Sequence, residues 1–299
     1  MAERIAPRGK TVRRGKTVRN RLVASLAVLL ALTVLVGGTA RADELIRIGT
    51  YRHYPPWTIS SPTGTITGFE IDLIHDLCRR LGTRCEVTAV NWEHIFDALD
   101  AREFDVYIGC MTITPERALR ASFSQPYALT PEYFATAVGS DLTTLLTLNR
   151  LDLDHLDADD QASFTSLIQA LRGKRIGIHS ETVYETFAQQ YLKGVAEIRI
   201  YHSEVDQYAD MIHGKLDAIL DGGAALHEFI LAKDGGGSEL TLFGPALLGG
   251  PFGHGVGAAL RRDADGLRTR LDDAISAAKA DGTLARLALT WFGYNAAAN

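Results

Sequence analysis

The sequence predicts an α/β protein with two lobes, and two observations carry this prediction. Short apolar segments rich in β-branched residues alternate with segments whose apolar residues recur at helical spacing, a pattern typical of mostly parallel sheets flanked by helices. This alternation occurs in two separate sets along the chain. A length of 299 residues fits two domains of roughly 150 residues each, and either one can bury a core.

The predicted elements follow one another in a regular order. The first set contains strands at 46–50, 85–90 and 105–109 and helices at 68–81 and 92–99. After a strand at 132–138, residues 140–171 show no regular pattern until a helix at 164–171. The second set contains strands at 175–179, 197–201 and 217–221 and helices near 182–192 and 205–213. A strand at 256–261 and helices at 264–280 and 284–292 complete the chain. Ligands in such folds bind beyond the carboxyl ends of strands or between lobes, so we predict a cleft-binding protein.

The N-terminal residues have the pattern of an export signal. Residues 1–21 are basic, residues 22–36 form an apolar run, and the small-residue motif Ala40-Arg41-Ala42 follows. The run is short for a membrane span, which needs about 20 residues. We therefore predict a signal peptide at 1–42, cleaved after Ala42, and a periplasmic location. A retained membrane anchor is the alternative.

The charge of the remaining chain excludes one class of partner. Nine of the 31 basic residues lie in residues 1–42, together with one of the 36 acidic residues. Residues 43–299 therefore carry 22 basic and 35 acidic side chains, a formal net charge of −13. Because phosphate binding needs clustered Lys and Arg, we expect no nucleic-acid partner.

Two of the three cysteines, Cys78 and Cys85, flank the end of the predicted helix at 68–81. In a continuous helix they would lie about 10.5 Å apart along the axis, too far for a disulfide. Gly82 stands where a glycine commonly ends a helix, so the chain can turn and bring Cys85 back. An oxidising compartment favours a structural disulfide here over two buried thiols and leaves Cys110 unpaired.

An acidic segment at 151–160 (LDLDHLDADD) carries five aspartates. It lacks the Gly at position 6 and the Glu at position 12 of a calcium loop. We expect a solvated acidic loop there, and no metal or cofactor in the protein.

Ordered motifs connect the region from residue 46 onward with one known family. The strongest are IRIGTYRHYPPW (46–57), GFEIDLIHDLCRRLGTRC (68–85) and FDVYIGCMTITPER (104–117). They are followed by FSQPY (123–127), GKRIGI (173–178), FGHGVGAALRRD (252–263) and DGTLARLALTWFGYN (281–295). Together they resemble the periplasmic solute-binding proteins of polar amino-acid ABC transporters, in the lysine/arginine/ornithine, histidine and octopine-like branch.

The resemblance implies a type II clamshell with a two-strand hinge. Lobe 1 would be residues 43–128 plus 255–299, and lobe 2 would be residues 129–254 with an insertion at about 140–171. The hinges would lie near 128–130 and 252–255. The paired cysteines of the cationic branch form a disulfide, in agreement with the spacing of Cys78 and Cys85. We expect a monomer that delivers its ligand to a membrane permease and ATPase.

The resemblance also implies a set of lobe 1 ligand contacts. Arg117, which ends TITPER, occupies the position of the clamp for the ligand carboxylate, and a guanidinium offers two parallel charge-assisted hydrogen bonds. Thr112 matches a hydroxyl position before it, and the backbone at Gly109 and Cys110 is expected to face the ammonium. Many relatives have Ser where this chain has Cys110.

Aromatic residues are expected to hold the ligand side chain. Tyr54 and Trp92 match the two positions that sandwich it in the family. Tyr51 stands where binders of cationic amino acids have an Asp, which puts strict lysine or arginine specificity in doubt. We consider Glu93 or the acidic loop as substitutes for that carboxylate.

Two further ligand contacts are expected from lobe 2. Thr182 lies in the loop after the strand at 175–179, with Val183 where relatives often have a second Thr. Asp221 is the nearest carboxylate to the family's ammonium-binding Asp, but Gly222 fills the aligned position. Asp221 is therefore either the ammonium partner or a structural residue at a strand end.

The sequence is also compatible with two other functions. One is a periplasmic enzyme resembling cyclohexadienyl dehydratase, in which His53, His179 or His254 could act as general acid. The chain has no HExxH or GxSxG motif, so we expect a binding protein and no enzyme. The other is a ligand-sensing domain of a membrane receptor.

Overall fold

The computed structural model describes residues 1, 44–145, 149–232 and 237–298. Apart from residue 1, the predicted signal peptide lies outside this part of the chain. In the part that is described, we find no helix with the length and apolar character needed to cross a membrane.

Thirteen strands and nine α-helices are present in these described ranges. Up to residue 123 they are β1 Leu45–Tyr51, β2 Ile59–Ser60, β3 Ile66–Thr67, α1 Phe69–Leu81, β4 Arg84–Val90, α2 Ile95–Asp100, β5 Val106–Tyr107, α3 Pro115–Ala118 and β6 Ser122–Phe123. They continue with β7 Glu132–Ala137, β8 Arg150–Asp152, α4 Ala158–Ala170, β9 Arg175–His179, α5 Val183–Phe187, β10 Glu197–Tyr201, α6 Glu204–Ile212, β11 Ala218–Gly222, α7 Gly223–Leu231 and β12 Leu240–Leu248. The last are β13 Ala259–Leu260, α8 Asp265–Ala280 and α9 Thr283–Phe292.

The strands form two main sheets, which confirms the predicted α/β fold with mostly parallel sheets flanked by helices. The first sheet has the order β4-β1-β5-β13-β6, with β4, β1 and β5 parallel. The second has the order β10-β9-β11-β7-β12-β8, with β10, β9 and β11 parallel. We call the first sheet with its helices lobe 1, and the second sheet with its helices lobe 2.

Two chain segments connect the lobes, one between β6 and β7 and one between β12 and β13. They run side by side, because the amide of Val256 donates to the carbonyl of Ala128 at 2.8 Å and the amide of Tyr127 donates to the carbonyl of Val256 at 2.8 Å. Backbone hydrogen bonds therefore join the two connecting segments where they pass from one lobe to the other.

Apolar side chains cover both faces of each sheet. In lobe 1, Ile48 of β1 belongs to a cluster with side chains of α1 and α8, and Tyr107 of β5 packs with Leu99 of α2 in another. In lobe 2, Ile178 of β9 clusters with Phe187 of α5. Because the faces are covered, a ligand can approach these sheets only where the strands end.

Helix α1 ends where the sequence predicted. Gly82 has φ 63° and lies in the left-handed region, its amide donates to the carbonyl of Arg79, and the amide of Thr83 donates to the carbonyl of Cys78. The turn brings Cys85 back to the helix, and the sulfur atoms of Cys78 and Cys85 are bonded across a Cα–Cα distance of 6.2 Å.

The prediction that residues 140–171 are irregular up to residue 164 was wrong. The segment contains β8, which pairs with β12, and α4, which begins at Ala158. Asp157 caps α4 through its side chain, which accepts from the amides of Asp159 and Asp160. Three of the aspartates thus form a helix start rather than a loop.

Strand β12 was not predicted, although it has nine residues. Its sequence contains Gly244-Pro245, and a proline argues against an internal strand because it lacks an amide donor. The pairing with β7 shifts register between Phe243 and Leu247, so Pro245 lies in an irregularity that needs no donor there. The predicted strands at 105–109 and 256–261 are also shorter than expected, at two residues each.

Candidate functional site

A cavity of about 50 Å³ lies between the two lobes. It is lined by eight of the nine predicted contact residues: Tyr51, Tyr54, Trp92, Cys110, Thr112, Arg117, Thr182 and Asp221. The ninth, Gly109, is not in the lining. Its carbonyl accepts a hydrogen bond from the Tyr107 hydroxyl at 3.1 Å. The carboxyl ends of β1 and β5 in lobe 1 and of β9 and β11 in lobe 2 supply most of this lining.

One arginine, Arg117, lines the cavity. Helix α3 positions it, because Thr114 caps the helix and accepts from the Arg117 amide at 3.2 Å. Nη1 donates to the Thr112 carbonyl at 3.0 Å, and the guanidinium lies 5.2 Å from the centroid of the Trp92 ring. Burial lowers the pKa of Arg117 to about 10. No carboxylate of the described residues forms an ion pair with this guanidinium, so its outer N–H groups can bind a ligand anion.

Asp221 supplies a buried carboxylate to the cavity from lobe 2. Its side chain is 1% exposed and accepts hydrogen bonds from the hydroxyls of Tyr54 at 2.6 Å and Tyr208 at 2.7 Å, and from the Gly222 amide at 2.7 Å. Tyr54 belongs to lobe 1, so this carboxylate also links the lobes. A side chain at Gly222 would place its Cβ 2.8 Å from the Tyr54 hydroxyl.

Glu132 is a second cavity carboxylate, which sequence reasoning missed. It begins β7, and the register of the sheet pairs it with Gly222, next to Asp221. Its Oε2 accepts from the Tyr184 hydroxyl at 2.9 Å. Burial, with the nearby charge of Asp221, raises the pKa of Glu132 to about 8. Nothing in the local sequence marks this residue, because only the antiparallel pairing of β7 with β11 brings it to the site.

Glu204 is a third cavity carboxylate that the sequence did not reveal. It is the first residue of α6, and both of its oxygens lie near the Tyr51 hydroxyl, at 3.0 and 3.1 Å. Nδ1 of His179 lies 3.7 Å from Oε1. Burial raises the pKa of the Glu204 carboxyl. Tyr51, which replaces the expected Asp, therefore contacts a carboxylate that comes from the other lobe.

Cys110 faces the cavity in a strained conformation, with φ 52°. Its amide donates to Oε1 of Glu70 at 2.6 Å, and the Tyr127 hydroxyl donates to the same oxygen. Burial raises the pKa of the Cys110 thiol well above its usual value and that of Glu70 to about 7. The raised pKa favours the neutral thiol over the nucleophilic thiolate, and the Cys110 amide is already engaged by Glu70.

Thr182 and Trp92 lie where the lobes meet. The Thr182 hydroxyl caps α5 by accepting from the Tyr184 amide at 3.3 Å, and it donates to the His179 carbonyl at 2.7 Å. The indole N–H of Trp92 donates to the Glu181 carbonyl of lobe 2 at 3.1 Å.

The other charged candidates lie outside the cavity lining. Glu93 pairs with His202 at 2.9 Å, and Asp154 of the acidic segment accepts from the Gly250 amide. Neither residue lines the cavity, so neither is placed there to substitute for an Asp at position 51. Of the three candidate histidines only His179 lines the cavity. The described part of the chain holds no group of three or more His, Cys, Asp or Glu suited to a metal ion.

Two α/β lobes, with charged and aromatic side chains lining the cavity between them, are typical of ligand-binding clamshells. The sequence profile of the bacterial extracellular solute-binding proteins, family 3, matches residues 46–294. The chain belongs to this family, which confirms the resemblance drawn from its motifs.

Named relatives agree with this assignment. The octopine-binding periplasmic protein of Rhizobium meliloti is 30% identical over 281 residues, covering 88% of this chain and 95% of the relative. The histidine-binding periplasmic protein of Escherichia coli K12 is 28% identical over 278 residues, covering 92% and 98%. A periplasmic His/Glu/Gln/Arg/opine family-binding protein from Silicibacter pomeroyi, solved in complex with lysine, is 28% identical with a TM-score of 0.67, covering 85% of this chain and 100% of that one. These relatives are binding proteins, and this chain is a binding protein rather than an enzyme.

The raised pKa of Glu132 predicts a pH dependence of stability. The folded, ligand-free protein binds this proton more tightly than the unfolded chain, so the stabilisation is complete below pH 4.5 and is lost as the pH rises to about 8. Glu70 acts in the same direction up to a pH of about 7. We expect the free energy of unfolding, measured by urea denaturation at each pH, to fall by on the order of a few kcal/mol between pH 5 and 8.5.

Glu132→Gln is expected to flatten this decline, because glutamine is neutral at every pH and still accepts from Tyr184. Glu197→Gln, an exposed lobe 2 residue paired with Arg199, is the matched control and should keep the wild-type profile. An equal slope in wild type and Glu132→Gln would contradict the assignment.

Proposed function

We propose that this protein is the extracytoplasmic amino-acid-binding component of an ABC importer. Its lobes close around a polar or cationic L-amino acid, or an opine-like derivative, and the closed form delivers the ligand to the permease and ATPase at the inner membrane. The protein acts as a periplasmic monomer without a cofactor, after removal of residues 1–42. The proposal rests chiefly on one observation: the unpaired guanidinium of Arg117 and the buried carboxylate of Asp221 line the same cavity from opposite lobes.

These two groups match the two charges of an α-amino acid. The fork of Arg117 binds the carboxylate through two parallel hydrogen bonds, and Asp221 binds the ammonium. Thr112 and Thr182 also line the cavity, although the Thr182 hydroxyl already donates to the His179 carbonyl. A ligand that satisfies both charges therefore holds the two lobes together.

The ligand side chain lies between aromatic rings. Tyr54 and Trp92 line the cavity, and Tyr51 stands edge-on to both, with ring centroids 6.4 Å from Tyr54 and 6.0 Å from Trp92. Such rings exclude water from an alkyl stem and attract a cation by about 0.5–2 kcal/mol when it is desolvated.

Closure depends on hydrogen bonds that cross between the lobes. Three of them are Tyr54 to Asp221, Tyr51 to Glu204, and Trp92 to the Glu181 carbonyl. Opening breaks these bonds while the chain bends near 128–130 and 252–255, the two predicted hinges. The same aromatic residues therefore contact the ligand and hold the closed form.

Calorimetric titration tests this function. Protein purified after expression of the full-length sequence, and stripped of bound ligand, is titrated with the common L-amino acids, opines and prephenate. We expect at least one polar or cationic amino acid or opine to bind with a Kd in the micromolar range or below. At a thousandfold excess over Kd this ligand raises the stability by about 4 kcal/mol. Absence of binding by the whole amino-acid and opine panel would contradict the proposal, and continuous reaction heat with prephenate would replace it with the dehydratase function.

A further inference from the structure

The charges that line the cavity exceed what a simple amino acid needs. Three carboxyl groups line it, those of Glu132, Glu204 and Asp221, against the guanidinium of Arg117 and the ring of His179. Burial raises the pKa of Glu132 to about 8, which leaves Asp221 and Glu204 as the carboxylates that face a ligand. The α-carboxylate and ammonium of a ligand satisfy Arg117 and one carboxylate. A ligand with one more positive charge would complement this lining better than a neutral one.

Glu204 is the carboxylate best placed for that charge. Glu132 is 7% exposed and already accepts from the Tyr184 hydroxyl, next to Asp221. Glu204 is only partly buried, with 18% of its side chain exposed, and it lines both this cavity and a groove of about 410 Å³ that shares Tyr54 with it. A ligand side chain that outgrows the small cavity can therefore extend toward Glu204.

The aromatic residues direct a ligand side chain toward the same carboxylate. Tyr51 stands beside Tyr54 and Trp92, and its hydroxyl contacts both oxygens of Glu204. An alkyl stem held between Tyr54 and Trp92 thus ends near the Tyr51–Glu204 pair. A carboxylate has about four lone-pair sites, so it can keep the Tyr51 bond and still accept from a cation.

We propose that Glu204 binds the distal cation of the ligand and makes this site selective for cationic L-amino acids, with Tyr51 as the residue that positions it. This carboxylate comes from lobe 2, at the start of α6, and reaches the cavity beside Tyr51 of lobe 1. The proposal rests on the amino-acid-binding function proposed above and adds the ligand class to it.

The test compares L-arginine with L-citrulline, which has the same shape and a neutral distal group. Titration of the protein expressed from the full-length sequence is expected to show at least tenfold tighter binding of arginine. Glu204→Gln keeps the side-chain volume and should weaken arginine binding at least tenfold while changing citrulline binding less than about threefold. Tyr51→Phe should reduce the preference by a smaller factor.

Glu93→Gln is the matched control, because it removes a carboxylate of lobe 1 that lies outside the cavity lining and pairs with His202. It should leave the preference for arginine unchanged. Lysine against norleucine provides a second matched pair of ligands.

The outcomes separate the two proposals. Equal loss of arginine and citrulline in Glu204→Gln, or an unchanged preference, would overturn the role of Glu204. Wild-type protein that binds neutral amino acids as tightly as cationic ones would overturn it too, while the amino-acid-binding function would stand. Absence of any amino-acid binding by the wild type would overturn both.

Discussion

Arg117→Ala is expected to weaken amino-acid binding at least about 100-fold, a loss of roughly 3 kcal/mol or more. Without the guanidinium, the ligand carboxylate would lose its charged partner in a cavity that is still lined by the carboxylates of Asp221 and Glu204. Calorimetric titration with the best ligand of the panel measures the change.

Arg120 offers a matched control in the same segment. Its guanidinium is half exposed, pairs with Asp97 and Asp100, and lies over the Phe96 ring rather than over Trp92. Arg120→Ala is therefore expected to bind the ligand with wild-type affinity. If Arg117→Ala also binds within a few-fold of wild type, the carboxylate clamp is misassigned.

Asp221→Asn is expected to weaken binding about 10- to 100-fold, because the ligand ammonium loses its charged partner. The asparagine oxygen can still accept from the Tyr54 hydroxyl and the Gly222 amide, and its NH2 group can donate to the Tyr208 hydroxyl oxygen, so the closed form keeps its contact between the lobes. The same titration reports the affinity, and urea denaturation checks that the variant folds.

Asp217→Asn is the control for this second variant. Asp217 precedes the same strand, but its carboxylate pairs with Arg175 and does not line the cavity. This control should lose stability and keep its affinity. If Asp221→Asn binds like wild type, the ammonium partner is another carboxylate, and Glu132 becomes the first candidate.

Much of the fold follows from periodicity. The strands at 46–50 and 175–179 and the helix at 68–81 were predicted almost to the residue, because their apolar patterns and the glycine at position 82 act locally. Strand β12 was missed because a proline lies inside it, and the start of α4 was missed because an aspartate cap resembles an acidic loop.

The residues of the candidate site also fall into two groups, those that the sequence predicted and those that it did not. Arg117 and Tyr54 stand in motifs that the sequence displays, and the structure places both in the cavity lining. Glu132 reaches it only through the register of β7 against β11, and Glu204 only because α6 of lobe 2 meets Tyr51 of lobe 1. Contacts between distant strands and between lobes leave no short pattern in a sequence, so these two carboxylates needed the folded structure.

A crystal structure of the protein with L-arginine tests the central proposal most directly. We predict a closed form in which the ligand carboxylate lies on the Arg117 guanidinium, its ammonium within hydrogen-bond distance of Asp221, and its own guanidinium toward Glu204 between Tyr54 and Trp92. Arginine bound elsewhere, or bound in the cavity with its carboxylate away from Arg117, would contradict the account.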